Sequence, residues 1–76
     1  MPDDRTYAQR FGYRLEIARL SKGLTAQRAA EICAVPKNQY RYYERGMSQP
    51  SAERVKMLCK GLDIDAGWLL GIDHDW

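Results

Sequence analysis

Leu24 to Gly46 reads LTAQRAAEICAVPKNQYRYYERG, and its spacing predicts two short helices joined by a tight turn. Thr25 has the hydroxyl of a helix N-cap, and Ala29, Ala30 and Cys33 recur on one apolar face of the first helix, read as Thr25 to Cys33. Ala34-Val35-Pro36 breaks that periodicity. Proline, with its fixed φ and no amide hydrogen, suits the first turn of a second helix, read as Pro36 to Arg45. Tyr40 and Tyr43 are spaced to face the body, Lys37, Asn38, Gln39, Arg41 and Tyr42 carry the polar side, and Gly46 stops the helix.

Outward from this stretch the pattern stays helical. Tyr7, Phe11, Leu15 and Ala18 recur every three to four residues and predict a first amphipathic helix from Tyr7 to Lys22, opened by Asp4 or Thr6 and closed by Gly23. After the loop Gly46–Pro50, Ser51 caps a helix from Ala52 to Lys60, with Glu53 in its first turn and Val55, Leu58, Cys59 and Leu62 inward; Gly61 weakens or ends it. Asp65 caps a last short helix, Ala66 to Leu70, whose Trp68 covers the core. Apolar surface left by Trp68, Leu70, Ile72 and Trp76 is a candidate homodimer surface, with plain core packing as the alternative for Trp68.

Seventy-six residues suffice for one small domain with a modest core. Cys33 and Cys59 lie in helical patterns without neighbouring cysteine or histidine, so they read as buried small hydrophobes rather than a disulfide or metal pair. His74 between two aspartates reads as solvent tail. No apolar run approaches a membrane span and no signal-peptide pattern is present, which points to a cytoplasmic protein without membrane or metal. The net charge of +2 is uneven: residues 5–60 hold all twelve bases against four acids, a section charge of +8, and the other acids sit at the two ends. A positive face opposite an acidic end suits a polyanionic partner, although ordinary solvated charge accounts for the same numbers.

Polar donors at a helix start are what reading a major groove requires. Lys37 suits guanine O6/N7 or a phosphate, and Asn38 suits adenine N6/N7. Arg41 and Tyr42 follow one turn later as further base-reading candidates. Arg10, Arg14, Gln27, Arg28, Gln39 and Arg45 are candidates for the DNA backbone. Glu44, placed among Arg41, Arg45 and three tyrosines, is expected to pair with Arg19 across the helices as a partly buried structural ion pair, the alternative being a surface pair. No base, nucleophile and orienting group have motif-like spacing, so no catalytic residue and no cofactor are expected.

Together, Leu15, Arg19, Gly23-Leu24-Thr25, Ala29-Ala30, Val35, Tyr43-Glu44-Arg45-Gly46, Pro50, Leu58, Leu62, Ile64 and Trp68-Leu69-Leu70 closely resemble the Cro/repressor-like helix-turn-helix family of phage and bacterial regulators. The resemblance implies an all-α, compact five-helix, lambda-repressor-like DNA-binding domain over residues 1–76, with the helix-turn-helix unit at 25–45 and a short acidic C-terminal tail at 71–76. It further implies repression from a palindromic operator in double-stranded DNA, bound by a weak homodimer stabilised on that operator, and it supports pairing Arg19 with Glu44. Two departures fall on the DNA side. Ala26 stands where the family commonly has glutamine, and Pro36 where a small hydroxyl residue starts the third helix. They keep open a protein-interaction module on the same fold, such as an antitoxin subunit with a toxin as partner.

Overall fold

The computed structural model describes residues 4–72, and the expectations placed on His74, on Trp76 and on the tail beyond Ile72 lie outside them. Five helices follow one another: α1 Tyr7–Ser21, α2 Ala26–Cys33, α3 Lys37–Arg45, α4 Ala52–Leu62 and α5 Ala66–Leu70. Four begin on a side-chain cap that accepts an orphan amide. Thr6 and Gln9 form a reciprocal capping box on α1 (3.1 and 2.8 Å). Thr25, Ser51 and Asp65 accept from Arg28, Arg54 and Trp68 at 3.1, 3.2 and 2.8 Å. Pro36 is the N-cap of α3 rather than part of its first turn, at ψ 138°, and offers no side-chain acceptor.

The helix ends share one device, a left-handed residue followed by an amide that reaches back five residues. It recurs as Leu24 to Arg19, Val35 to Ala30, Met47 to Tyr42, Ile64 to Cys59 and Ile72 to Gly67, all 2.9–3.2 Å. The left-handed residue is Gly23, Gly46 or Gly71 at three ends but Ala34 (φ 59°) and Asp63 (φ 54°) at the other two. The expected stop at Gly61 is therefore corrected. α4 runs through it to Leu62 and turns at Asp63. Gly61 is there for contact: a Cβ on it would lie 2.6 Å from Cys33 Sγ and 2.8 Å from Cys33 Cα, so α2 and α4 touch backbone to backbone. Gly12 does the same for α1 and α3, its missing side chain making room for the carbonyls of Tyr43 and Glu44.

With these contacts α1 lies on α3, α2 on α3 and α4, and α5 closes the open end against α1 and α4. The core is Phe11, Leu15, Ala18, Ala29, Ala30, Cys33, Val35, Tyr40, Tyr43, Leu58, Leu62 and Leu69. Tyr7, expected on the buried face, is 43% exposed in the first turn of α1, its ring 6.4 Å from that of Phe11. Cys33 and Cys59 are free thiols. Among the described residues no helix is long and apolar enough to cross a membrane, and no group of three or more His, Cys, Asp or Glu gathers to hold a metal.

Candidate nucleic-acid interface

Helix α3 divides cleanly. Tyr40 and Tyr43 point into the core, while Lys37, Asn38, Arg41, Tyr42 and Arg45 are exposed at spacings that place them on the opposite face. The base-reading candidates are thus brought together on one exposed helix surface. Lys37 lies at its edge, where Nζ donates to Gln27 Oε1 across 3.5 Å and draws the start of α2 beside the start of α3. Pro36 offers the first amides of α3 no side-chain acceptor. These amides and the cations beyond them form a donor-rich edge suited to an anionic backbone.

The inner side of α3 is held by charge. Arg19 Nε donates to Glu44 Oε2 at 2.8 Å, Nη2 donates to Oε1 at 3.2 Å, and Nη1 donates to the Leu24 carbonyl at 2.9 Å. One guanidinium thereby joins α1, the residue that leads into α2, and the last turn of α3. The two side chains are only 13% and 9% exposed, and Glu16 approaches to 3.8 Å from the solvent side. The hydrogen bond to Glu44 raises the Arg19 pKa despite burial. Next to this pair the phenol of Tyr40 is fully buried. Desolvation first, and then the Glu44 carboxylate, push its pKa well above the usual tyrosine range, yet its hydroxyl has no hydrogen-bond partner of ordinary geometry.

The candidate backbone contacts do not share one surface. Gln27, Arg28 and Arg45 are exposed on α2 and α3, with Arg28 in a 3.3 Å surface pair with Glu31. Gln39 is half-buried, and its Nε2 donates to Ser48 Oγ at 3.0 Å, so it ties α3 to the loop that follows rather than reaching outward. Arg10 and Arg14 sit on the side of α1 that faces α5. Arg10 Nη1 donates to the Arg5 carbonyl; Arg14 Nη1 donates to the Trp68 carbonyl, with its guanidinium 5.4 Å above the Trp68 ring. Helical periodicity marks the face of α1 on which an arginine lies but not which helix covers that face. Trp68 and Leu70 are half-buried and Ile72 is 72% exposed. Ser48 was missed, since a serine in a five-residue loop carries no positional signal; Gly12, in mid-helix, did carry one.

Comparison with known proteins bears on the family and the fold. The helix-turn-helix family model matches residues 15–69. Over 64 residues the chain is 33% identical to YonR, an SPbeta prophage-derived uncharacterized HTH-type transcriptional regulator of Bacillus subtilis (strain 168), a match that takes in 84% of this chain and 59% of that protein. The chain therefore spans about three fifths of the length of this curated relative. Among solved structures it is similar to the restriction-modification controller protein C.AhdI from Aeromonas hydrophila, with TM-score 0.79, 29% identity, and 82% and 94% of the two chains covered. The clp gene regulator ClgR from C. glutamicum is comparably similar, with TM-score 0.80, 25% identity and 88% and 87% coverage.

Proposed function

The chain belongs to the helix-turn-helix family of the Cro/repressor, XRE type, and from that premise we propose that it is a sequence-specific regulator of transcription that binds double-stranded DNA and acts as a repressor. The observation that carries this reading is the exposed face of α3, with Lys37, Asn38, Arg41 and Tyr42 together on a helix whose inner side is clamped by Arg19 and Glu44. α3 enters the major groove. Lys37 and Asn38 read base edges, and Arg41 and Tyr42 share base and backbone contact. Gln27, Arg28 and Arg45 bind phosphates, while Gln39 positions the loop through Ser48.

The operator is a palindrome bound by a weak homodimer that forms on DNA, and repression is by steric block in the cytoplasm. Chemistry is not part of the role, as the matched relatives are regulators. The uncapped start of α3 at Pro36 favours modest affinity for a single copy, because a hydroxyl that would otherwise cap the helix and meet a phosphate is missing.

Selection from a random duplex library at two salt concentrations tests the proposal. A shared, two-fold symmetric sequence recovered at both salts is expected. Recovery of no common sequence, with affinity no tighter than the roughly 10⁻⁴ to 10⁻⁶ M of non-specific binding, defeats it.

A further inference from the structure

Helix α4 has an outer side that the DNA-binding reading does not use. Gly61 meets Cys33 of α2, and Cys59, two residues earlier and so roughly 200° around the helix, lies on the opposite side. There α4 and α5 enclose a cleft of about 510 Å³, within the size range of small-molecule sites. Val55 and Cys59, one turn apart on α4, form one wall, and Ala66 and Leu70, one turn apart on α5, form the other. Among the described residues that line it, Lys56 and Lys60 alone are charged. The α4 lining runs from Ala52 to Lys60, about 12 Å at 1.5 Å per residue, which is room for an extended chain of about ten carbons.

The two lysines decide what the cleft takes. Both are exposed, they stand one turn apart beside Val55 and Cys59, and neither is within ion-pair distance of a described acid. Their stems extend the apolar wall while the ammonium groups stay at the water edge. Asp65, which acts on the Cys59 thiol, is engaged at 2.8 Å in capping α5. A hydrocarbon chain ending in one carboxylate matches this division, with the chain on the apolar walls and the anion on the ammonium groups. A second copy matches it less well, because a two-fold contact sets a patch against itself and would bring these cations against their own counterparts.

We propose that the α4–α5 cleft binds a free medium-chain aliphatic carboxylate. Its chain lies between Val55, Cys59, Ala66 and Leu70, and its carboxylate meets Lys56 and Lys60. The cleft is on the side of α4 away from α2, so occupancy leaves the exposed face of α3 open and ligand and duplex are bound together. The inference stands independently of the operator reading.

The test titrates hexanoate, octanoate, decanoate and, as a neutral twin, decanol into the full chain by calorimetry, and follows maleimide labelling of Cys59 by peptide mass, with the buried Cys33 as internal control. Expected is one-site binding that tightens by up to about fourfold per added methylene. Decanoate is expected to bind at least about fivefold tighter than decanol and, at saturation, to slow labelling of Cys59. Replacing both lysines, Lys56→Gln with Lys60→Gln, removes the preference for the acid over the alcohol and keeps the dependence on chain length. Ala66→Glu, at an exposed position in the first turn of α5 where a carboxylate suits the helix start, lowers decanoate affinity at least about tenfold while circular dichroism stays at wild type. Equal affinity for decanoate and decanol overturns the proposal, as does unchanged Cys59 labelling at saturation or full affinity in Ala66→Glu. So does sedimentation in which Ala66→Glu converts a dimer of the free chain to monomer, since the cleft would then belong to a second copy.

Discussion

Arg19 and Glu44 are joined by two hydrogen bonds of 2.8 and 3.2 Å, and through them the first helix holds the end of the third. Both groups are largely buried, so removing one leaves the other's charge uncompensated. Glu44→Ala or Arg19→Ala is expected to cost about 3–5 kcal/mol of unfolding free energy, measured by urea denaturation. The double replacement Arg19→Met with Glu44→Leu is expected to recover most of that loss, because apolar packing replaces a buried pair at little net cost.

Tyr40 gives a sharper result at the same junction. Its hydroxyl is buried without a hydrogen-bond partner of ordinary geometry, although Glu44 acts on its pKa. Tyr40→Phe keeps the ring and removes an unsatisfied group, so stability is expected to stay within about 1 kcal/mol of wild type or to rise. A loss of about 2 kcal/mol or more in thermal or urea unfolding would instead mean that the phenol and Glu44 share a strong hydrogen bond.

Burial also acts on Cys33, whose thiol is pushed from 9.0 up to about 11, with Cys59 adding to the effect. In the unfolded chain the thiol ionises near its ordinary value, whereas in the folded chain it stays protonated until about pH 11. The unfolded state therefore holds fewer protons across that window, and stability falls as pH rises from about 9 to 11, by about 2–3 kcal/mol from this group. Tyr40, shifted in the same direction, continues the loss at higher pH. Unfolding measured from pH 8 to 11 is expected to show this decline, and Cys33→Ala to flatten its first part.

Ala34 closes α2 in the left-handed region, at φ 59° and ψ 38°, where a Cβ is disfavoured. Its side chain is exposed, so Ala34→Gly relieves the backbone without opening a cavity. Relief of about 1–2 kcal/mol, offset by the greater unfolded-state freedom of glycine, leaves an expected gain of about 0.5–1 kcal/mol, visible as a higher Tm.

How far the residues themselves foretold this molecule differs from part to part. The starts at Thr25, Ser51 and Asp65 were legible, because an N-cap is a local device with a side chain to mark it. Ends at Ala34 and Asp63 were not, since alanine disfavours the left-handed region and aspartate, which tolerates it, is as common at helix starts and in turns. Gly61 was legible as special but for a different reason, contact with Cys33 rather than termination. The exposed face of α3 followed from Tyr40 and Tyr43 being inward. Which neighbour covers Arg10 and Arg14, and the exposed stripe of Tyr13, Ile17 and Leu20, depended on how α1 and α5 meet, and periodicity within one helix does not carry that.

The most direct measurement of the central claim is the ratio of affinities for the selected operator and for the same duplex with one base pair changed, compared between wild type and Asn38→Ala. Asn38 is exposed on α3 and away from the core, so the folded state is expected to keep its Tm. Discrimination at one base pair per half-site is expected to fall by about 1–3 kcal/mol, with other positions unchanged. Arg45→Ala, by contrast, weakens every sequence alike and lowers the salt dependence, and Arg14→Ala, on the α5 side, leaves both unchanged. Wild-type discrimination at every base pair in both Asn38→Ala and Lys37→Ala would contradict the assignment of α3 as the reading helix.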